Sequence, residues 1–273
     1  MADILNVSRR GFLKGTGAAT ALVIGANMVP GSMVRDAFAQ AVEATPNLFV
    51  KIANNGLVTI TISRQEMGQG VRTGIPMILA DELEADWDRC TLWQAPGDAE
   101  KYDPAGKDGQ NTDGSRSTRH NFDVMRELGA AARYTLEMAA AQKWGVNIQD
   151  VYAKHHRIYN SATGQSFDYG ELVDAASRIN IPAGSSEGAP AVRLKDKSQW
   201  KYIGKDMPVI DNYDMSTGGA NYGADISIPG MKIAVIARSP VFRGKVKSYD
   251  ARETLKVQGV EKVVEIPALP DDK

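Results

Sequence analysis

Gly68-Gln69-Gly70 lies between a segment that alternates like a strand and one with helical periodicity. Two glycines let the backbone come close to a ligand, and the free amides of a helix start suit an anion. The glutamine between them carries a neutral amide that both donates and accepts. A plain tight turn would use the same residues, so this segment gains meaning only in company. A second group, Gly114-Ser115-Arg116-Ser117-Thr118-Arg119, offers hydroxyls, amides and two guanidinium groups at another helix start, a set suited to phosphate or an oxo-anion. An N-cap followed by solvated arginines would also read this way. Neither a GxGxxG fingerprint, a P-loop nor a Ser-His-Asp order is found. Glu66, Glu82 and Glu84 are not assigned as catalytic bases: two fall on the solvated face of an expected helix, and Glu66 could equally anchor the turn before Gly68.

The elements that must position these residues are legible as periodicities. Leu57 to Ile62 alternates and is β-branched, a strand entered through an Asn54-Asn55-Gly56 turn. A helix is expected from Thr73 to about Asp86, with Ile75, Ile78, Leu79 and Leu83 on the buried face, Asp81, Glu82 and Glu84 in solvent, and Pro76 in the first turn. A polar loop from Pro96 to Arg119 is long enough to be functional. A second helix is expected from about Phe122 to Trp144, with Gly145 as its C-terminal cap and runs of alanine allowing close packing. Asn180 to Pro190 reads as a linker. Met231 to Arg238 and Val260 to Ile266 read as strands, with a short helix capped by Asp250 between them.

Composition narrows the classes of function. The 273 residues carry a formal net charge of −1 and are 43% hydrophobic, which is ordinary for a folded domain. The near balance of charge, with basic residues scattered, argues against a nucleic-acid partner. Cys90 is the only cysteine, so this chain can build neither an internal disulfide nor a thiolate-held iron–sulfur cluster. An electron relay would have to sit on a partner. His155 and His156 are read as a solvated turn or strand rather than metal ligands.

The N-terminus reads as an export signal. Ser8-Arg9-Arg10-Gly11-Phe12-Leu13-Lys14 matches the twin-arginine pattern at every fixed position, an apolar stretch runs from Gly15 to Ala26, and Ala37-Phe38-Ala39 forms a small-x-small cleavage site. Residues 1–39 are thus expected to be a twin-arginine signal peptide with Arg9 and Arg10 as its export motif. The expected location is the periplasm, reached in a folded state, with attachment to the inner membrane through a partner.

Taken together, the motifs resemble a known family. Arg64-Gln65-Glu66-Met67-Gly68-Gln69-Gly70-Val71-Arg72-Thr73-Gly74, then Leu79-Ala80-Asp81-Glu82-Leu83, resemble a cofactor-binding segment of the xanthine dehydrogenase and aldehyde oxidase family. Thr112-Asp113-Gly114-Ser115-Arg116-Ser117, followed by Met125-Arg126 and Gly129-Ala130-Ala131-Ala132-Arg133, is similar to the segment that approaches the metal there. Thr217 to Asp225, Ile228-Pro229-Gly230-Met231, Arg238-Ser239-Pro240 and Val260 to Val264 resemble an α/β-hammerhead. The order of these pieces looks like a permuted subgroup, that of isoquinoline 1-oxidoreductase β subunits and membrane-bound bacterial aldehyde dehydrogenase large subunits.

The resemblance implies an α+β fold: a molybdopterin-binding domain segment (46–179), a linker (180–197) and an α/β-hammerhead domain (198–269). It implies molybdenum–molybdopterin cytosine dinucleotide as cofactor, with pyrroloquinoline quinone (PQQ) as the lesser alternative. Gly68, Gln69 and Gly70 would contact the pterin dinucleotide, and Gly114 and Ser115 would lie close to the molybdenum without ligating it. The chain departs from the pattern at Asp113 and Arg116, where a carboxylate calls for Arg116 or Arg119 to offset it. The implied activity is oxidation of aldehydes or N-heterocycles by water-derived hydroxylation. Electrons would pass to a small iron–sulfur (2Fe–2S) subunit, a cytochrome c subunit and a quinone. The general-base glutamate and a second glycine-rich segment are expected in a C-terminal part beyond Lys273, so the chain alone is expected to be inactive. The alternatives are an inactive truncated fragment and a non-catalytic exported cofactor-binding or assembly protein.

Overall fold

The computed structural model describes residues 22–25, 48–103, 109–179, 192–242 and 244–266. The signal motif and the linker from Asn180 to Pro190 lie outside the described residues. The chain divides into two compact units, Met1–Ala220 and Asn221–Lys273.

The first unit mixes helices with two small sheets, as the α+β expectation requires. One sheet has the order β1 (Leu22–Gly25), β2 (Leu48–Ile52), β3 (Val58–Ile62) and β4 (Cys90–Gln94). The β1–β2 and β2–β3 pairs are antiparallel, while β3 and β4 are parallel and joined through helix α1 (Val71–Leu83). Parallel neighbours need such a crossover, and this one places the Gly68-Gln69-Gly70 loop at the C-terminal end of β3. The expected turn leads into β3: Ala53 N–H donates to Leu57 O at 3.0 Å, and Gly56 takes φ 83°. The second sheet is an antiparallel meander of β5 (Val151–Lys154), β6 (Arg157–Asn160) and β7 (Ser166–Asp168). Asp168 then caps α4 (Tyr169–Ala176) in a capping box with Glu171.

Helix α1 begins two residues earlier than Thr73, so Pro76 lies in its second turn rather than its first. Helix α3 runs from Arg116 to Trp144 and starts inside the segment read as loop. That loop also contains the short helix α2 (Ala99–Tyr102). Gly145 ends α3 in the left-handed conformation, as its position suggested.

The core lies where α1 and α3 press together over the first sheet. Leu79, Leu83, Leu128, Leu136, Ala132 and Ala139 are fully buried there. A Cβ built on Gly129 would stand 2.5 Å from Leu79 O and 2.9 Å from Glu82 Cβ, so the two backbones meet through a glycine. Gly129→Ala must push the helices apart. A loss of about 1–3 kcal/mol is expected, read as a lower denaturant midpoint. A midpoint equal to that of the parent chain would show that the helices have slack here.

The acidic face expected in solvent is buried. Asp81 and Glu82 are fully enclosed, and Glu84 nearly so. The cause is distant in sequence: residues 192–203, partly read as linker, fold back across the C-terminal half of α1. Lys195 reaches Asp81 at 2.6 Å and Glu84 at 2.7 Å, and Lys201 pairs with Glu84. His156 is likewise not solvated. Both histidines of the pair have positive φ, as a turn requires, but His156 is enclosed and stacks on Tyr169 with centroids 4.3 Å apart. Its Nδ1 accepts from Asp86 N–H at 3.0 Å, so Nε2 carries the proton and donates to Gly56 O at 2.8 Å. Burial lowers its pKa.

In the second unit, Met231–Arg238 and Val260–Ile266 were expected as strands, yet neither carries ladder hydrogen bonds. Lys232 pairs with Glu261, which brings the two segments alongside. Ile233 and Val235 are 90% and 95% exposed, so the alternation is present without a layer among the described residues to cover it. Two uncovered segments are too few to make a stable sheet in water. The short helix appears as a 3₁₀ turn, Thr254–Lys256, and Asp250 instead accepts from Arg252 N–H at 3.0 Å.

Candidate functional site

Arg64 joins the two loops singled out in the sequence. Its side chain is 0% exposed, and its Nη1 donates to Gly109 O at 2.6 Å and Asn111 O at 2.5 Å. Nη2 meets Asp103 at 3.3 Å. Gln65 N–H adds a bond to Thr112 Oγ1 at 3.1 Å. Gln110 bridges the same region, donating to Pro96 O at 2.9 Å and accepting from Asp98 N–H at 2.6 Å. The segment before Gly68 and the segment before Gly114 therefore lie side by side. In the sequence Arg64 stands out only as part of a longer match. Its burial leaves no local signal, because its partners are 45 and 47 positions away.

The first loop is set by Glu66. One carboxylate oxygen accepts from Gly68 N–H at 2.8 Å and Gly70 N–H at 2.9 Å, and the other accepts from Arg72 N–H at 3.0 Å. Partial burial would raise the pKa of Glu66, but these backbone donors outweigh it and hold the carboxyl below the usual range. The amides expected to be free for an anion are thus donated to the chain's own carboxylate. Glu66 does anchor the turn.

Gln69 is exposed, and its amide is satisfied within the loop. Oε1 accepts from Met67 N–H at 2.6 Å, and Nε2 donates to Gln65 O at 3.0 Å. Gly68 and Gly70 take φ 96° and 80°, where a side chain is strained. Among the described residues, chain neighbours aside, no heavy atom stands within 4 Å of a Cβ built on Gly68, so that backbone is open to close approach. Residues 209–211 flank the other side: Val209 lies 3.6 Å from the built Cβ of Gly70, Ile210 N–H donates to Thr73 Oγ1 at 3.0 Å, and Arg72 faces Asp211 at 3.5 Å. Burial raises the pKa of Asp211, which Arg72 counters while Glu66 and Asp214 add to the rise.

The second loop is exposed too. Gly114 and Ser115 have φ 52° and 55°, two successive left-handed residues before α3. A serine held there is strained and needs its surroundings to keep it so. Asp113 is offset as the sequence required, by an ion pair with Arg116. Among the described residues no cluster of His, Cys, Asp or Glu could hold a metal ion. Burial pushes the Cys90 thiol up, so it stays protonated.

Two glycine-bearing loops at helix starts are thus joined by a buried arginine. A sequence profile of the molybdopterin cofactor-binding domain matches residues 7–227, and the chain belongs to that family. It is 30% identical to the isoquinoline 1-oxidoreductase subunit beta of Brevundimonas diminuta over 97% of its own length and 38% of the relative's. It is also 30% identical to the membrane-bound aldehyde dehydrogenase (pyrroloquinoline-quinone) of Gluconacetobacter polyoxogenes, over 78% and 27% of the two lengths. The chain thus spans less than two fifths of either relative. Quinoline 2-oxidoreductase from Pseudomonas putida 86 is a structural neighbour at TM-score 0.37 and 17% identity, covering 61% of this chain and 21% of that one.

The residues fit a molybdopterin in one respect and not in another. An open Gly68 backbone suits the flat, amide-rich edge of a pterin, beside a glutamine whose Nε2 keeps a second N–H and whose Oε1 keeps a second lone pair. The start of α1 does not suit a phosphate, because Glu66 fills it.

Proposed function

We propose that this chain is the molybdopterin-holding portion of an exported oxidoreductase that oxidises aldehydes or N-heterocycles. The observation that carries the proposal is the joining of the Gln69 and Ser115 loops through Arg64 in a member of this family. Gly68, Gln69 and Gly70 would meet the pterin dinucleotide, in its cytosine form, and Gly114 and Ser115 would lie near the molybdenum. When bound, the group supplies two-electron oxidation with oxygen drawn from water. The chain's own part is to present backbone and amide to one edge of that group and to keep the loops in place. The substrate classes follow the names of the two relatives. A small iron–sulfur subunit, a cytochrome c subunit and a quinone would take the electrons. The Arg9-Arg10 signal would deliver the protein, folded, to the periplasm.

Dinucleotide affinity needs an enclosing pocket, and the chain spans 38% of the longer match. The 273-residue chain is therefore expected to retain molybdenum below stoichiometry and to show no dye-linked oxidation of aldehydes or isoquinoline. The test is to produce it with cofactor biosynthesis active, then measure molybdenum by mass spectrometry and pterin by fluorescence after oxidative release. Pterin should exceed that of an unrelated control and fall several-fold in Gln69→Ala, since a lost hydrogen bond costs about 0.5–1.5 kcal/mol. Pterin no higher than in the control would remove the reading. Stoichiometric metal with turnover would show that the pocket is complete in this chain.

A further inference from the structure

Helix starts that receive phosphate present unpaired N–H groups along a glycine-rich turn. The start of α1 has the glycines and the turn, but three of its donors are already taken. Glu66 takes Gly68, Gly70 and Arg72 N–H at 2.8, 2.9 and 3.0 Å, spreading them over both carboxylate oxygens. Gln69 is carried on this clamp, its two amide atoms tied to Met67 N–H and Gln65 O inside the same turn. Gly68, by contrast, has open space among the described residues where a Cβ would stand. The loop is therefore shaped from within, around a carboxylate that stands where an anion would sit.

We infer that Glu66 is an internal anion that positions Gln69 and denies the N-terminus of α1 to phosphate, so that a bound cofactor meets this loop through neutral groups only. The inference rests on the reading that the Gln69 loop faces the cofactor. The clamp itself can be tested without any cofactor. Ion–dipole contacts of this kind are among the stronger hydrogen bonds, because the acceptor is ionised.

The experiment compares the full chain with Glu66→Ala and Glu66→Gln by amide hydrogen exchange and by titration with inorganic phosphate followed by NMR. In Glu66→Ala, exchange at Gly68, Gly70 and Arg72 should quicken about tenfold or more, while amides in the middle of α3 keep their rates. Phosphate should then shift those three amides saturably and slow their exchange, having taken the carboxylate's place. In the parent chain the same phosphate should shift none of them. Glu66→Gln keeps one acceptor oxygen, so it should hold Gly68 and Gly70 partly and lose Arg72. It also serves if the alanine variant does not fold. Unchanged exchange in both variants, or equal phosphate shifts in the parent chain, would overturn the inference. Failure of pterin to bind while these results hold would instead remove the reading of the site and leave the clamp standing.

Discussion

Glu82→Ala should cost about 3–5 kcal/mol of unfolding free energy, the loss typical of removing one partner from a buried ion pair. Glu82 is 0% exposed and accepts from Arg126 Nε at 2.7 Å and from Lys195 N–H at 3.0 Å, with Arg133 at 3.4 Å. Both arginines are mostly buried themselves. Arg133 also donates to Glu82 O and Arg193 O, and Arg126 donates to Lys195 O at 2.7 Å, so one carboxylate ties α1, α3 and residues 192–203 together. Without it, Arg126 stays desolvated with no paired carboxylate, and Arg133 keeps only Glu137, at 3.9 Å. A domain holds only about 5–15 kcal/mol in all, so the variant should lie near its unfolding threshold at room temperature. Urea unfolding checks this. Glu82→Ala/Arg126→Ala should recover part of the loss, because the second change removes one of the stranded charges. A loss below about 1 kcal/mol, the range of a surface pair, would show that the cluster is open to water.

The same cluster shows what the sequence could and could not disclose. Features decided by neighbours along the chain were legible: the Asn54-Asn55-Gly56 turn, the β3 strand, the apolar stripe of α1 and the glycine cap of α3. Both candidate loops stand out by composition. What they do was hidden where distant residues decide it. Asp81, Glu82 and Glu84 look like a solvated helix face until Lys195, 114 positions beyond Asp81, is laid against them. His156 looks solvated until Gly56, 100 positions earlier, meets its ring. The helix start beside Gln69 reads as free in the sequence because Glu66 can serve equally well as anchor or as base. Only the three amide distances decide between those roles. Met231 to Arg238 alternates as a strand does, and alternation says which faces a segment would have without saying what covers them.

Lys195→Ala should be the other large change, with a dependence on pH that a packing defect would lack. Lys195 is nearly buried and bridges Asp81 at 2.6 Å and Glu84 at 2.7 Å. Burial alone would raise the pKa of Asp81, but Ile203 N–H, Lys195 and Tyr202 N–H together outweigh it and hold the carboxyl below its ordinary value. For Glu84, burial is again the largest single effect, and Lys195 and Lys201 reverse it. A depressed carboxylate stabilises the fold above its unfolded pKa, and that stability is lost as pH falls through the folded pKa. In the parent chain these two groups should therefore make stability fall with acid below about pH 4, the unfolded carboxylate range. Removing Lys195 raises both folded values toward or past that range. At neutral pH the variant should lose about 3 kcal/mol, since two enclosed carboxylates lose a shared cation while Lys201 and the backbone donors remain. The gap between variant and parent should then narrow as pH falls, because protonation relieves the stranded charges. His156, with its lowered pKa, weakens both proteins in acid alike and cancels in the difference. Urea unfolding at a series of pH values measures that difference directly. A gap that stays constant from neutral pH down into the carboxylate range would assign the loss to packing and leave the charge bridge without a part in it.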